Sequence, residues 1–388
     1  MSITTKHRFN LRILWLFIAV FIWISIWRGL SLPLPLGGRI SAADTISPDD
    51  WLVRLASSME SSETAIPNIV HYVWILKPDS NLSFQFKHFV SVYSAGLYLK
   101  ADTVFIHTNA DPGVVSRAKD SGSYWTKKML QLPFLTVRQM EFPTHTNRGV
   151  KLDALEHISD FARPSILKEY GGVYLDFDAI PIRDFKALRE SGFNNVFGHE
   201  LNEKVNNGVM LSKKGSQLMD IFDQEQHAVF DGDWITHSVN LLTSLAQALA
   251  RVEGEVLILE RKAFNPDGWH PDYHSALFRN HFRASQEVLN HGIQTQAPIG
   301  QTDDKLSAIE AWNQTQHQAR EDWEIDYSMA YLIHASSPHI EPPTPDCEDI
   351  KWRYVMDRRS NYAKQVYPAM LHAVEAGIVS ADVRDHVT

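Results

Sequence analysis

The chain has 388 residues, 44% of them hydrophobic, with 37 basic against 46 acidic side chains and a formal charge of −9. A sizeable core is therefore possible, and the negative balance, with no Lys/Arg-rich run, argues against a nucleic-acid surface. Its one cysteine, Cys347, excludes an intrachain disulfide.

In chain order, Ile13 to Trp27 (ILWLFIAVFIWISIW) is an uninterrupted apolar run preceded by Lys6, Arg8 and Arg12. As a helix it would be about 22 Å long, and Arg28 with Gly29 to Leu32 can extend it towards the hydrocarbon thickness of roughly 30 Å. The spacing predicts a single transmembrane signal anchor over 13–32. Positive charge before it places residues 1–12 in the cytoplasm and the rest in a lumen. A cleaved signal peptide is the rival, since Ser41-Ala42-Ala43 offers small residues, though far beyond the apolar run. Residues 33–65, rich in Pro, Gly, Ser and charge, read as a stem, and a lumenal catalytic domain is expected over 66–388.

The domain opens with a β-prone run, Asn68 to Ile75, followed by helical spacing over Phe84 to Leu99 and a strand over Thr103 to His107. Strand–helix–strand order implies a right-handed crossover and a parallel sheet. A helix over Pro112 to Gly122, a strand over Phe134 to Met140, a largely helical stretch over Lys151 to Tyr170 and a strand over Val173 to Asp176 complete a Rossmann-like half. Ligands of such sheets bind at the strands' carboxyl ends. Strands follow at Val196 to Gly198 and Gly208 to Leu211, helices at Ser216 to Phe230 and Trp234 to Arg251, and a strand at Glu255 to Leu259. Residues 265–325 show no order by pattern. A last strand is expected over Tyr327 to His334 and a helix over Asp357 to Gly377. Asn81 and Asn313 lie in glycosylation sequons.

The stretch that carries chemistry is HISDFARPSILKEYGGVYLDFDAIPIRD, His157 to Asp184. In a strand, residues two apart point to one side, so Asp176 and Asp178 would face one site while Phe177 turns into the core. Two adjacent carboxylates repel and call for a cation. Oxygen ligands suit Mg²⁺ or Mn²⁺, which commonly clamps phosphates. The alternative is a solvated strand end. Gly171 allows the helix to end in a left-handed turn and Gly172 allows close backbone approach. Pro164 either starts a helix near Arg163 or kinks one beside the site. His71 reads as a satisfied core histidine.

The segment SDFARPSILKEYGGVYLDFDAIP resembles the sugar-binding core of glycosyltransferase family 32, a group with α-1,4-galactosyltransferases, initiation-specific mannosyltransferases and inositolphosphoceramide mannosyltransferases. It is also similar to the catalytic core of large glucosylating bacterial toxins. Ser159, Asp160, Arg163, Leu167, Gly171, Gly172, Tyr174, Asp176 and Asp178 carry the likeness. The resemblance implies a GT-A-type α/β fold, a mostly parallel sheet flanked by helices. It also implies metal-dependent, retaining transfer of a hexose from a UDP- or GDP-sugar to a glycan or glycolipid, in a Golgi membrane enzyme using Mn²⁺ or Mg²⁺. Asp178 would bind the metal and Asp176 the metal and ribose. Asp160 and Arg163 would hold the donor sugar, with a surface ion pair as the plain alternative. Tyr174 would line the nucleotide site. Trp74 would stack on the base or sit in the core. Asn206 and Asn207 would lie near the donor or form an ordinary turn. His334 would complete the metal site or serve structurally, and Asp233, Trp234 and His237 would line the acceptor side. The rival functions are hydrolysis of nucleotide sugars or glycosides, and a non-catalytic lectin-like protein.

Overall fold

The computed structural model describes residues 65–268, 270–281, 322–336, 350–380 and 382–383. The expected anchor over 13–32, the stem up to residue 64, Cys347 and the Asn313 sequon lie outside the described residues. Among the described residues no helix is long and apolar enough to cross a membrane.

The central sheet has seven strands. In chain order they are β1 (Ile69–Trp74), β2 (Thr103–Thr108), β3 (Leu135–Gln139), β4 (Gly172–Leu175), β6 (Asn195–Gly198), β7 (Val209–Ser212) and β8 (Val256–Leu259); β5 (Ala179–Pro181) and β9 (Leu332–His334) form a separate pair. Across the sheet the order is β3-β2-β1-β4-β7-β6-β8. The strands β1 to β4 pair in parallel, as do β6 and β8, whereas β7 runs antiparallel to both its neighbours. The mixed α/β architecture is as expected, with a large, mostly parallel sheet flanked by helices. Its inner strands are almost wholly buried, which is why IVHYVW reads as one apolar run and does not alternate.

Helices cover both faces. On one lie α1 (Phe86–Leu99) and the C-terminal helix (Asn361–Glu375), which share a core with Val70, Tyr72, Val104, Ile106 and Val173. The opposite face presents Val73, Tyr174, Phe197 and Met210 to the helices over Leu155–Tyr170, Gln217–Val229 and Leu241–Leu249. Neighbouring strand residues therefore go to opposite layers, as the pleat requires. Between α1 and the long 155–170 helix lie α2 (Pro112–Ser121), capped by Asp111, and α3 (Tyr124–Leu130), capped by Ser123. The sequence pattern does not signal α3, because seven residues are too few to show a period. The long helix, α4 (Leu155–Tyr170), runs on through Pro164, so no helix begins at Arg163. The stretch expected as a helix from Trp234 is an exposed turn, then a π-helical turn over Thr236–Asn240 and α-helix from Leu241. The strand expected over Tyr327 to His334 shrinks to its last three residues.

The Gly-Gly break sets the position of β4. Gly171 at φ +66° ends α4, and Gly172 at φ +101° passes so close to β1 that an added Cβ would lie 2.5 Å from the Ile69 carbonyl oxygen. The His71 imidazole bridges the same place, 2.9 Å from the Gly171 carbonyl oxygen and 3.0 Å from His107. It is fully buried and satisfied, in keeping with its reading as a core histidine. Substituting Gly172→Ala adds both φ strain and a backbone clash. It is expected to lower unfolding free energy by about 2 kcal/mol or more, measured by denaturant titration against wild type.

Candidate active site

The strand β4 ends at Leu175, and Asp176, Phe177 and Asp178 occupy a turn closed by the Ala179 N–H donating to the Asp176 carbonyl at 2.9 Å. The two carboxylates therefore converge through turn geometry and not through the two-residue period of a strand. That turn leads into β5, whose partner is β9: Ala179 pairs with His334, and Ala335 N–H donates to the Asp178 carbonyl at 2.8 Å. His334 is thereby delivered beside Asp178, its Nε2 3.4 Å from Oδ1. Ligand atoms of Asp176, Asp178 and His334 all lie within 4.8 Å of one another. Two carboxylates and an imidazole are a donor set that a Mg²⁺- or Mn²⁺-like cation accepts.

Space for these groups is kept by Gly208. A Cβ there would fall 2.7 Å from Asp176 Oδ2 and 2.9 Å from the His334 ring. Asn206 fixes that close approach: its Oδ1 accepts from the Gly208 N–H at 2.7 Å and its Nδ2 donates to Glu200 at 2.8 Å. The Asn-Asn-Gly stretch is thus both a turn and a wall of the site. Asn207 donates from Nδ2 to Asp160 at 2.8 Å and accepts from Arg163 through its carbonyl.

Arg163 joins these pieces. It is 91% shielded, 3.1 Å from Asp160 on its own helix and 3.1 Å from Asp176 across the break. Asp160 and Arg163 are therefore no surface ion pair. Tyr174, expected to line the nucleotide site, lies instead behind Asp176, 1% exposed, with its hydroxyl donating to Oδ1 at 2.7 Å. The physical reason is the strand's pleat, which sends Tyr174 into the layer beneath Asp176. Burial pushes the Asp176 carboxyl up to about 6; Arg163 pulls it down while Asp178 pushes it further up. For His334, burial opposes the charged form, but Asp178 and Asp176 outweigh it and raise the pKa.

Trp74 ends β1 beside the parallel β4, so it stands at the same carboxyl end of the strands as the aspartates. It lines, with Arg163, Asp176, Phe177 and Asp178, a cleft of about 410 Å³. Aromatic rings surround Trp74: His88 and Phe177 on the cleft's lining and Phe84 in the core behind it, with centroids 4.8–5.1 Å away. The supposed acceptor-side residues are placed differently. His237 is fully buried and reaches the site only through Asp160, 3.3 Å from Oδ2 and not aligned for a hydrogen bond. Exposed Asp233 uses a carboxylate oxygen on the Ile235 N–H, and Trp234 is half exposed over His157. Neither Asp233 nor His237 borders the cleft, because the turn of Thr236–Asn240 stands behind α4. Sequence reasoning passed over Gly208, Glu200 and His88. Gly208 carried a signal in its place directly after Asn-Asn; the other two carried none, since only folding brings them in.

Residues 98–200 match the family described as glycosyltransferase sugar-binding region containing DXD motif. That segment holds Asp160, Arg163, Asp176 and Asp178, and it marks the chain as an enzyme of the glycosyltransferase class. Glucan organizing enzyme 1 of Cryptococcus neoformans is 26% identical over 290 residues, 68% of this chain and 75% of that protein. Among solved structures, the PaToxG glycosyltransferase overlays 53% of this chain and 78% of its own at 14% identity, with a TM-score of 0.35. The apo form of the glycosyltransferase GlyE of Streptococcus pneumoniae overlays 64% of this chain and 56% of its own at 16% identity, with a TM-score of 0.32. At those scores the overlays establish no more than a partial likeness.

The ion pairs of Arg163 set a stability prediction. Arg163→Met leaves Asp160 and Asp176 buried without their countercharge and should cost about 3 kcal/mol or more. Adding Asp160→Asn removes one of those stranded charges and should recover part of the loss. Urea titration of both variants measures it.

Proposed function

We propose that this chain moves a hexose from a nucleoside diphosphate sugar to a glycan or glycolipid. The observation that carries the reading is the convergence of Asp176, Asp178 and His334, the two carboxylates lining one cleft with Trp74. Asp176, Asp178 and His334 would hold Mn²⁺ or Mg²⁺, and the gap left by Gly208 keeps their ligand atoms uncrowded. When bound, such a cation neutralises charge on the departing diphosphate. Trp74 offers a ring for the base, and Asp160, braced by Asn207 and Arg163, would hold donor-sugar hydroxyls from behind Arg163, which itself lines the cleft. Transfer with retention is part of the proposal. Asp176 is already occupied by Arg163 and Tyr174, which suits charge compensation better than a free nucleophile's role. A polysaccharide acceptor fits the glucan in the name of the Cryptococcus relative. Behind an anchor over residues 13–32, the domain would work on the lumenal side of a Golgi membrane.

Thermal melts test the site. Mn²⁺ with UDP or GDP at about 100 times Kd should stabilise the protein by about 2.7 kcal/mol. Asp178→Asn should abolish that shift and transfer together. No shift with either nucleotide, in Mn²⁺ or Mg²⁺, overturns the reading, and acceptor-independent release of free sugar would make the enzyme a hydrolase.

The pH response has a definite sign. With Asp176 raised to about 6 and His334 also raised, the cation-free native state binds protons more tightly than the unfolded chain. Cation-free stability should therefore decline as pH rises from about 4 through 6. A cation competes with those protons. Its stabilising effect should be full near pH 7.5 and fade below 6, read as the Mn²⁺-dependent melting shift across pH 5 to 8.

A further inference from the structure

The first turn of α1 carries an aromatic residue pair of its own, Phe86 and His88, and the histidine is turned towards the cleft rather than into the core. His88 lines the cleft together with Trp74, the two rings 4.8 Å apart at 67°. The backbone N–H of Gln85 donates to His88 Nδ1 at 3.0 Å, closing the start of the helix. A ring nitrogen that accepts an N–H carries no proton, so in the neutral ring the proton is on Nε2. Among the described residues that Nε2–H makes no hydrogen bond. The ring stays neutral at any physiological pH: burial, with Lys87 adding to it, lowers the pKa to about 3 against the pull of Asp178. The capping bond thus fixes the tautomer, and the tautomer presents one donor, and no acceptor, beside the tryptophan.

We infer that His88 reads the nucleobase: its Nε2–H donates to the exocyclic carbonyl of a base lying on Trp74, selecting uracil or guanine over cytosine or adenine. Uracil carries O4 and guanine O6 at the edge where cytosine and adenine carry an amino group. An amino group there would meet a donor with a donor, and leave both buried and unpaired. The inference rests on the donor-site reading above, since it needs a nucleotide in this cleft.

Calorimetric titration with UDP, CDP, GDP and ADP at saturating Mn²⁺ tests it. UDP should bind about tenfold or more tighter than CDP, or GDP than ADP, and the larger of the two affinities tells uracil from guanine. His88→Phe keeps a ring beside Trp74 but has no donor, so the ratio should fall towards one. His88→Gln restores an N–H and should restore part of the ratio, and it decides the matter if His88→Phe fails to fold. Equal binding of all four by the wild type, or an unchanged ratio in His88→Phe, overturns the inference while leaving the donor site intact. Binding of none overturns the donor-site reading and this inference with it.

Discussion

The guanidinium of Arg163 holds together groups that would otherwise push apart. Asp160 and Asp176 both lie 3.1 Å from it, and Asp178 follows two residues after Asp176. Two like charges at about 4 Å repel by roughly 4 kcal/mol at an effective dielectric of 20. The planar fork spans two acceptors at once, and the Tyr174 ring supports it from a centroid distance of 5.0 Å. A lysine, with a single point of charge, would hold the two carboxylates without the fixed fork that sets their relative orientation. Buried ion pairs add little net stability over apolar replacements of the same shape. The arrangement therefore makes sense as a geometric device, one that keeps Asp176 aimed into the cleft when nothing else is bound.

What that device aims at is assembled from distant parts of the chain. Asp176 and Asp178 come from the turn after β4, Gly208 from the approach to β7, and His334 from a three-residue strand near the C-terminal helices. The backbone does the delivering. Asp176 N–H donates to the Gly208 carbonyl at 2.8 Å, and β5 and β9 pair through Ala179 and His334. Because Ala179 lies directly after Asp178, the pairing register itself decides that the imidazole arrives opposite the second carboxylate. A slip of one residue would put Ile333 or Ala335 there.

The parallel half of the sheet was legible because β1, β2 and β4 are largely buried and read as short β-prone runs between helical periods, with only the edge strand β3 exposed. The acidic turn, the Gly-Gly break and Arg163 were legible because each places an unusual residue type at fixed spacing within one segment. The rest depended on long-range pairing or on local geometry with no pattern. The Asp176–Asp178 stretch looked like a strand end because the period-two rule ignores the turn that Ala179 closes. His237 was expected on the acceptor side because the family resemblance was carried over to it, whereas the π-helical turn carries it inward against Asp160. Tyr174 looked like a lining residue, yet strand alternation puts it under Asp176, where its hydroxyl does more by donating to that carboxylate than it could by touching a base.

The cleft joins two kinds of lining, and this bears on what it can hold. Trp74, Phe177 and His88 give it an uncharged aromatic wall. Arg163, Asp176 and Asp178 bring charge to it, with His334 beside Asp178 and with Lys87 and Glu156 also on its lining. A ligand with a flat, weakly polar ring and a polyanionic tail finds a partner for each part, the tail through a cation. Charge on His88 would blur that contrast, because an imidazolium near Asp178 would compete for the carboxylate that a cation needs. Burial, with Lys87 adding to it, keeps His88 neutral, so the packing that sets its donor also leaves Asp178 to the cation.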